Sequence, residues 1–177
     1  MPKDRIPINN SISRLAALAV FTVIALTLFV AESAIPVPIP IPGVKLGLAN
    51  IVTLLVLLFF TLPEAFLVLT ARILLSAFFS GQALSLLYSF AGGLLALLVM
   101  ALLNRFLSGR FLFITGIFGA LAHNIGQLSA ACLILGSPGV FAYLPFLMIS
   151  GSITGLFTGL CAHYAAKYLK PHLSRFR

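Results

Sequence analysis

Arg72 is the residue of this chain whose position most strongly suggests a function. It lies within a long apolar run that begins near Glu64, about 12 Å along a helix that must cross about 30 Å of hydrocarbon. A charge at that depth costs at least ~2.5 kcal/mol, so it is retained where it performs a function. No carboxylate is expected beside it, because Glu32 and Glu64 stand at the ends of apolar runs. Arg72 is therefore a candidate ligand-binding cation; the alternative is a structural cation that donates to backbone carbonyls or to an amide.

A second polar cluster, His123-Asn124-Ile-Gly-Gln127, lies in another apolar run. His123 and Gln127 are four residues apart and Asn124 and Gln127 are three apart, so a helix would place all three along one arc. Such an arc must face protein or a cavity, and its depth matches that of Arg72. Hydrogen bonds between helices, with no ligand, are the alternative.

Four further residues are expected near the same depth or above it. Asn50 opens one apolar run and Tyr88 lies early in another, and Glu32 and Lys45 flank the segment between the first two runs. The complete set predicts a polar substrate-binding pocket that opens to the outside of a membrane. Its members are Arg72, His123, Asn124, Gln127, Asn50, Tyr88, Lys45 and Glu32.

Enzyme chemistry is not indicated by the residues. Asp4 is the only aspartate, so neither a metal-binding aspartate pair nor a pair of acid-base carboxylates can form within a membrane. No glycine-rich loop followed by Lys-Ser/Thr is present, so the chain has no familiar means of hydrolysing ATP. The three histidines, at 123, 163 and 172, are expected at three depths and do not make a metal site. We expect a non-enzyme without a catalytic site, metal or cofactor.

Six apolar runs must position these residues. Of the 177 residues, 61% are hydrophobic and 8% charged, which is outside the range of a soluble domain. The runs predict an all-α integral membrane protein, a compact bundle of six transmembrane helices in one domain over 1–177, with short tails at 1–13 and 167–177. The predicted spans are 14–31, 48–62, 64–80, 84–103, 112–135 and 142–166. The first run also resembles a signal peptide, but its length favours an uncleaved helix.

The basic residues predict the orientation of this bundle. With the N-terminus inside, one cation, Lys45, falls outside and Arg72 falls within a span, and the other nine are cytoplasmic. Those nine are Lys3, Arg5, Arg14, Arg105, Arg110, Lys167, Lys170, Arg175 and Arg177. The positive-inside rule then predicts that both termini are cytoplasmic. The net charge of +8 is expected to meet anionic lipid headgroups, and nucleic acid is not expected as a partner.

The segment between the first two runs carries prolines at alternate positions, 36, 38, 40 and 42. Each proline fixes its own φ and disfavours the helical region for the residue before it, so the segment is stiff and extended. Its apolar alternate residues favour a lid over the bundle, and a spacer along the headgroups is the alternative. Glycines at 151, 155 and 159 form a stripe for close helix packing, supported by Gly116 and Gly119 and by Gly92-Gly93.

Four segments together resemble a known family. They are Pro42-Gly-Val-Lys-Leu-Gly-Leu-Ala-Asn-Ile51, Ala71-Arg-Ile-Leu74, Tyr88-Ser-Phe-Ala-Gly-Gly93 and His123-Asn-Ile-Gly-Gln127. The resemblance is to the Gx transporter family, relatives of the substrate-binding S components of energy-coupling-factor vitamin transporters, and it covers most of residues 35–130. The same family carries the label heptaprenyl diphosphate synthase component I.

The resemblance implies an S component in a bacterial cytoplasmic membrane. Such a subunit binds a small vitamin, cofactor or precursor and is driven by a separate ATPase and a coupling membrane subunit. The ligand class that the resemblance suggests is a flavin, a quinone precursor or an isoprenoid. Ala16, Ala17 and Ala19 are the expected docking surface, although Val20 and Phe21 interrupt the usual alanine stripe. The alternative is a non-catalytic accessory or anchor for isoprenoid or quinone synthesis, or for flavin-linked redox proteins.

Overall fold

The computed structural model describes residues 11–34, 47–80, 83–107, 109 and 111–173. Every element of regular secondary structure in these residues is a helix, and turns join the helices. The six predicted helices are present, and a 3₁₀ helix precedes the last of them. Their bounds are α1 Ser11–Ser33, α2 Asn50–Phe59, α3 Leu62–Ser80, α4 Ala83–Leu107, α5 Leu112–Leu135, the 3₁₀ helix Pro138–Tyr143 and α6 Leu144–Leu173. Residues 11–13 and 167–173, within the predicted tails, are helical and continue α1 and α6. The proline-rich segment and Lys45 lie outside the described residues.

Within the described residues, four helical segments are long and apolar enough to cross a membrane. They are α1, α4, α5 and the 3₁₀ helix continued by α6. The span predicted over 48–62 is shorter in the structure, because α2 has ten residues and a length of about 15 Å, half the thickness of the hydrocarbon core. The chain is a multi-pass membrane protein by these helices, and the crossing of all six remains a prediction.

The short helix α2 forms the centre of the bundle. Nine of its ten residues are buried, and it contacts α1, α3, α4, α5 and α6. Its residues are apolar on every side, which is the pattern of a helix surrounded by others. The main hydrophobic core is built around it, with Phe21 of α1, Leu69 of α3, Leu97 of α4 and Ala162 of α6 among its members.

A capping box sets the turn between α2 and α3. Thr61 precedes the first residue of α3, and Glu64 accepts hydrogen bonds from the Thr61 backbone N–H at 2.8 Å and from its hydroxyl. The bond from the Thr61 N–H to the Glu64 side chain is one half of the capping box that Thr-x-x-Glu favours at a helix start, and the Thr61 hydroxyl here donates to the same carboxylate. Arg14 of α1 donates to the same carboxylate through Nε and Nη2, at 2.5 and 2.9 Å. One carboxylate therefore starts α3 and joins it to α1.

Glycines bring the backbones of α5 and α6 into direct contact. A Cβ built on Gly116 would lie 2.4 Å from the Gly155 carbonyl oxygen, and one built on Gly159 would lie 2.4 Å from the Phe113 Cα. Neither distance is tolerable, so only glycine permits this approach. The prediction that these glycines are close-packing surfaces is confirmed, and the surface they pack against is another helix of the same chain.

Polarity is inverted relative to a soluble protein. Large apolar side chains face outward, with Phe78 and Leu133 each 84% exposed, whereas Arg72 and Glu32 are buried. Exposed apolar surface of this kind is stable against lipid and not against water. The bundle therefore keeps its polar groups inside and presents an apolar surface to the membrane.

Candidate functional site

The candidate site begins where α1 ends and α2 is about to start. The carboxylate of Glu32, near the end of α1, accepts hydrogen bonds from the backbone N–H of Gly47 at 2.5 Å and of Leu48 at 2.9 Å. These amides precede the first turn of α2, where backbone donors have no partner within the helix and negative charge is favoured. Gly47 adopts a φ of 87°, which a residue with a side chain rarely does. Glu32 thus connects the end of α1 to the residues that immediately precede α2.

Arg72 lies beneath this junction and is 3% exposed. Its guanidinium carbon is 5.9 Å from the centre of the Phe29 ring, within the range of a cation–π contact. Phe29 and Glu32 are three residues apart and share a face of α1, and Glu32 lies within electrostatic reach of Arg72. The expectation that no carboxylate would lie near Arg72 is therefore wrong. Glu32 was expected at the exposed end of the first helix because of its position in the sequence, but in the structure this side chain is buried.

Two donor atoms of Arg72 are left without a partner. Its Nε and Nη2 atoms are buried and make no hydrogen bond within the described chain. The nearby carboxylate of Glu32 accepts instead from the amides of Gly47 and Leu48. A buried donor without a partner costs about 1–3 kcal/mol, and more when it is charged.

Asn50 and His123 meet beside Gly47. A Cβ built on Gly47 would lie 2.9 Å from the Asn50 Nδ2 and 3.0 Å from the His123 Cδ2, so both side chains pack against this glycine. His123 also lies within electrostatic reach of Arg72. Asn50 Nδ2 and Oδ1 are buried and make no hydrogen bond within the described chain, and His123 is buried against the backbone of Gly92. We call Glu32, Asn50, Arg72 and His123, with Gly47 between them, the Arg72 cluster.

Gly92 of α4 closes the cluster from the side. A Cβ on Gly92 would lie 2.7 Å from the His123 carbonyl oxygen, 2.7 Å from the Gln127 Cγ and 3.0 Å from the His123 Nδ1. Gly126 makes a similar approach, 2.7 Å from the Ala91 carbonyl oxygen. The absence of side chains at these positions lets α4 press against α5 and hold the His123 ring in place.

Two members of the predicted set face elsewhere. Asn124 points to α6, where its Nδ2 donates to the Leu147 carbonyl oxygen at 2.7 Å and lies against Gly151. Tyr88 is buried in a second hydrophobic cluster with Leu128 and Leu147. The structure brings together Glu32, Asn50, Arg72 and His123, keeps Gln127 beside Gly92, and directs Asn124 and Tyr88 toward the packing of α5 and α6.

Phe29, Gly47 and Gly92 were missed as parts of the site. Phe29 could have been found from its spacing of three residues from Glu32, because both must lie on one face of α1. The roles of Gly47 and Gly92 depend on which helices meet, and a single sequence does not reveal that.

Two cavities lie toward the opposite end of the bundle. One, of about 420 Å³, is an apolar groove lined by α1 residues that include Ala16, Ala17 and Val20, and by Leu169 of α6. Ala19 is exposed and lies outside the lining of this groove. The other, of about 190 Å³, is lined partly by His163, Lys167 and Lys170.

The Arg72 cluster offers hydrogen bonds and a charge to a ligand, and nothing in its arrangement resembles a nucleophile with its base. Within the described ranges, no group of three His, Cys, Asp or Glu side chains could hold a metal ion. The cluster is a buried group of polar side chains from α1, α2, α3 and α5, with Gly92 of α4 packed against it.

Comparison with known proteins gives a family for most of the chain. Neither a curated protein nor a solved structure matches it. The family model described as heptaprenyl diphosphate synthase component I matches residues 21–165, which include every residue of the Arg72 cluster. The chain therefore belongs to the heptaprenyl diphosphate synthase component I family.

Proposed function

We propose that the chain is a substrate-binding membrane subunit, similar to the S component of an energy-coupling-factor transporter. It would bind a small vitamin, cofactor or precursor at the Arg72 cluster. Both termini would be cytoplasmic and the cluster would lie toward the outside of a bacterial cytoplasmic membrane, as the distribution of basic residues indicates.

The observation that carries this proposal is the concentration of unused hydrogen-bonding atoms in one buried place. Four such atoms belong to two residues of the cluster: Arg72 Nε and Nη2, and Asn50 Nδ2 and Oδ1. Polar side chains that join helices donate at least one hydrogen bond to the backbone, as Asn124 Nδ2 does to the Leu147 carbonyl, whereas neither side-chain atom of Asn50 has a partner. Buried hydrogen-bonding groups that lack partners and lie near one cation are expected of a ligand-binding site whose ligand is absent.

Energy for transport would come from other subunits. The sequence has no nucleotide-binding loop, so concentrative uptake would need an ATPase and a coupling membrane subunit. The groove beside Ala16 and Ala17 is the proposed docking surface, because small side chains allow another helix to approach closely.

The proposal is tested with the purified chain in lipid nanodiscs and a size-filtered extract of small metabolites from its native cells. The nanodiscs are desalted, and the retained molecules are identified by mass spectrometry. The retained molecule is then labelled and supplied to proteoliposomes. We expect retention by the chain alone, and accumulation only when an ATPase, a coupling subunit and ATP are present. Accumulation by the isolated chain on an ion gradient would identify a secondary transporter, and no retention at all would refute the binding subunit.

A second candidate function follows from the description of the family. It names a component of heptaprenyl diphosphate synthase, which indicates partnership with other synthase components. With a single aspartate, Asp4, the chain could serve such an enzyme only as a non-catalytic membrane subunit or anchor. A related role beside flavin-linked redox proteins would be similar. Co-purification with a prenyl diphosphate synthase subunit, and stimulation of its activity that survives Arg72→Gln, would favour this alternative.

A further inference from the structure

The free edge of Arg72 indicates what kind of group the ligand carries. We infer that the ligand of the Arg72 cluster presents a carboxylate to the Nε and Nη2 atoms of Arg72. This inference rests on the proposed function and names the chemical class of the molecule bound there.

Arg14 shows how this chain uses the same edge of a guanidinium. There, Nε and Nη2 donate side by side to the two oxygens of the Glu64 carboxylate. The pairing is bidentate, and its geometry suits two oxygens of one planar group. In Arg72 these same two atoms are buried and unused, so the group that fits them is also a pair of oxygens at carboxylate spacing.

Glu32 does not fill this position in the structure. Its two oxygens accept from the Gly47 and Leu48 amides, which hold its charge at the start of α2. The carboxylate is within electrostatic reach of Arg72, but the Nε and Nη2 edge remains without an acceptor. The ligand would therefore supply a second carboxylate as the acceptor for the Nε and Nη2 atoms of Arg72.

The charge of the cluster favours a carboxylate over a phosphate. Among its described residues Arg72 is the one cation, and Glu32 already offsets part of its charge. A phosphate ester carries close to two negative charges and would need further cations in a buried site. A carboxylate brings one charge, and the unused Asn50 Nδ2 can supply it or a neighbouring ligand atom with another hydrogen bond.

The test uses the metabolite extract in three forms. One portion is untreated, one has its carboxylates converted to methyl esters with acidic methanol, and one is treated with phosphatase; an acid–water portion controls for hydrolysis. Each is offered to the chain in nanodiscs. We expect esterification to abolish retention and phosphatase to leave it unchanged, and the retained molecule should lose carbon dioxide on negative-ion fragmentation.

Two substitutions at Arg72 and one control complete the design. Arg72→Gln should abolish retention, and Arg72→Lys should reduce it about ten- to a hundredfold, because an ammonium cannot make the side-by-side pair. Thr154→Val, on α6, should retain the molecule as the wild type does, because the Thr154 hydroxyl donates to the Ser150 carbonyl of its own helix. Thermal unfolding, followed with a thiol-reactive dye at Cys132 and Cys161, checks that each variant is folded.

These experiments distinguish a failure of the carboxylate inference from a failure of the proposed ligand-binding function. Three results would refute the carboxylate inference and leave the binding function intact. They are retention that persists after esterification, retention that is lost after phosphatase treatment, and equal retention by the wild type and folded Arg72→Lys. If the wild type retains nothing from the untreated extract, the binding function fails and the inference fails with it.

Discussion

At the scale of residues, the two arginines of the bundle show how one side chain serves two purposes. Arg14, 41% exposed, forms its bidentate pair with Glu64 near a helix end, where it joins α1 to α3. Arg72 is buried, and the corresponding atoms have no acceptor. An ion pair at the surface contributes little to stability, whereas an incompletely paired charge in the interior is costly. An incompletely paired charge such as that of Arg72 is retained only where another interaction compensates for its cost, and we propose that the ligand supplies that interaction.

A pair of asparagines distinguishes a binding group from a structural one. Both amide atoms of Asn50 are buried and unpaired, so Asn50→Leu should leave the free energy of unfolding unchanged or raise it by up to about 1 kcal/mol. Asn124→Leu should lower it by about 1–3 kcal/mol, because it removes the bond to the Leu147 carbonyl. Ligand retention should fall in the first variant. Unfolding in detergent and the nanodisc assay measure the two effects, and a strongly destabilised Asn50→Leu would make Asn50 a structural residue.

The polar residues of the site were visible in the sequence because buried polarity is rare in an apolar chain. Arg72 and His123 could be placed at a similar depth, and Asn50 in the same half of the membrane, from helix length alone. The partnership of Glu32 with the α2 amides could not, because it depends on how the chain returns after α1. The different directions of His123 and Asn124 likewise depend on where α4 and α6 pack, since adjacent residues on a helix point about 100° apart.

At the scale of elements, α2 departs most from its prediction. The run 48–62 reads as a span because it is apolar throughout, yet the helix occupies only Asn50–Phe59. The capping box Thr61–Glu64 starts α3 and so ends the run sooner than hydropathy suggests. That motif was present in the sequence and could have corrected the boundary. The central position of α2 could not have been found, because an apolar helix surrounded by lipid and one surrounded by helices have the same composition.

The contact between α5 and α6 gives a prediction at this scale. Gly155→Leu should force the two helices apart, because even a Cβ at this position would lie 2.6 Å from the Ile117 Cα. We expect a loss of about 2–4 kcal/mol in the free energy of unfolding, typical of severe overpacking. Gly139→Ala is the matched control, since its Cβ would meet only the Ser137 hydroxyl at 3.4 Å. Equal thermal unfolding of the two variants would contradict the packing described here.

At the scale of the whole molecule, an apolar exterior surrounds a polar centre. Such a bundle can hold a hydrophilic group within the membrane because helices shield it from lipid on all sides. The family match and the multi-pass helices agree with a membrane protein of this family, and the buried polar centre is the place where we propose that it binds its ligand.

The orientation is open to a direct test. The positive-inside rule predicts that both termini are cytoplasmic and that the segment 35–46 is outside. A fluorescent protein fused to either terminus should be bright, because it folds in the cytoplasm. In a variant whose two native cysteines are replaced by alanine, Pro40→Cys should react with a membrane-impermeant maleimide in intact cells. Labelling only after the cells are broken would reverse the orientation and place the cluster on the cytoplasmic side.

The most direct measurement of the central claim is an experimental structure of the chain with the molecule it retains from the extract. The account predicts density for a small molecule within hydrogen-bonding distance of Arg72 Nε and Nη2, bordered by Asn50 and His123, with Glu32 still bound to the Gly47 and Leu48 amides. It would be contradicted by a molecule bound elsewhere, such as in the groove beside Ala16 and Ala17. It would equally be contradicted if the Glu32 carboxylate itself occupied the free edge of Arg72.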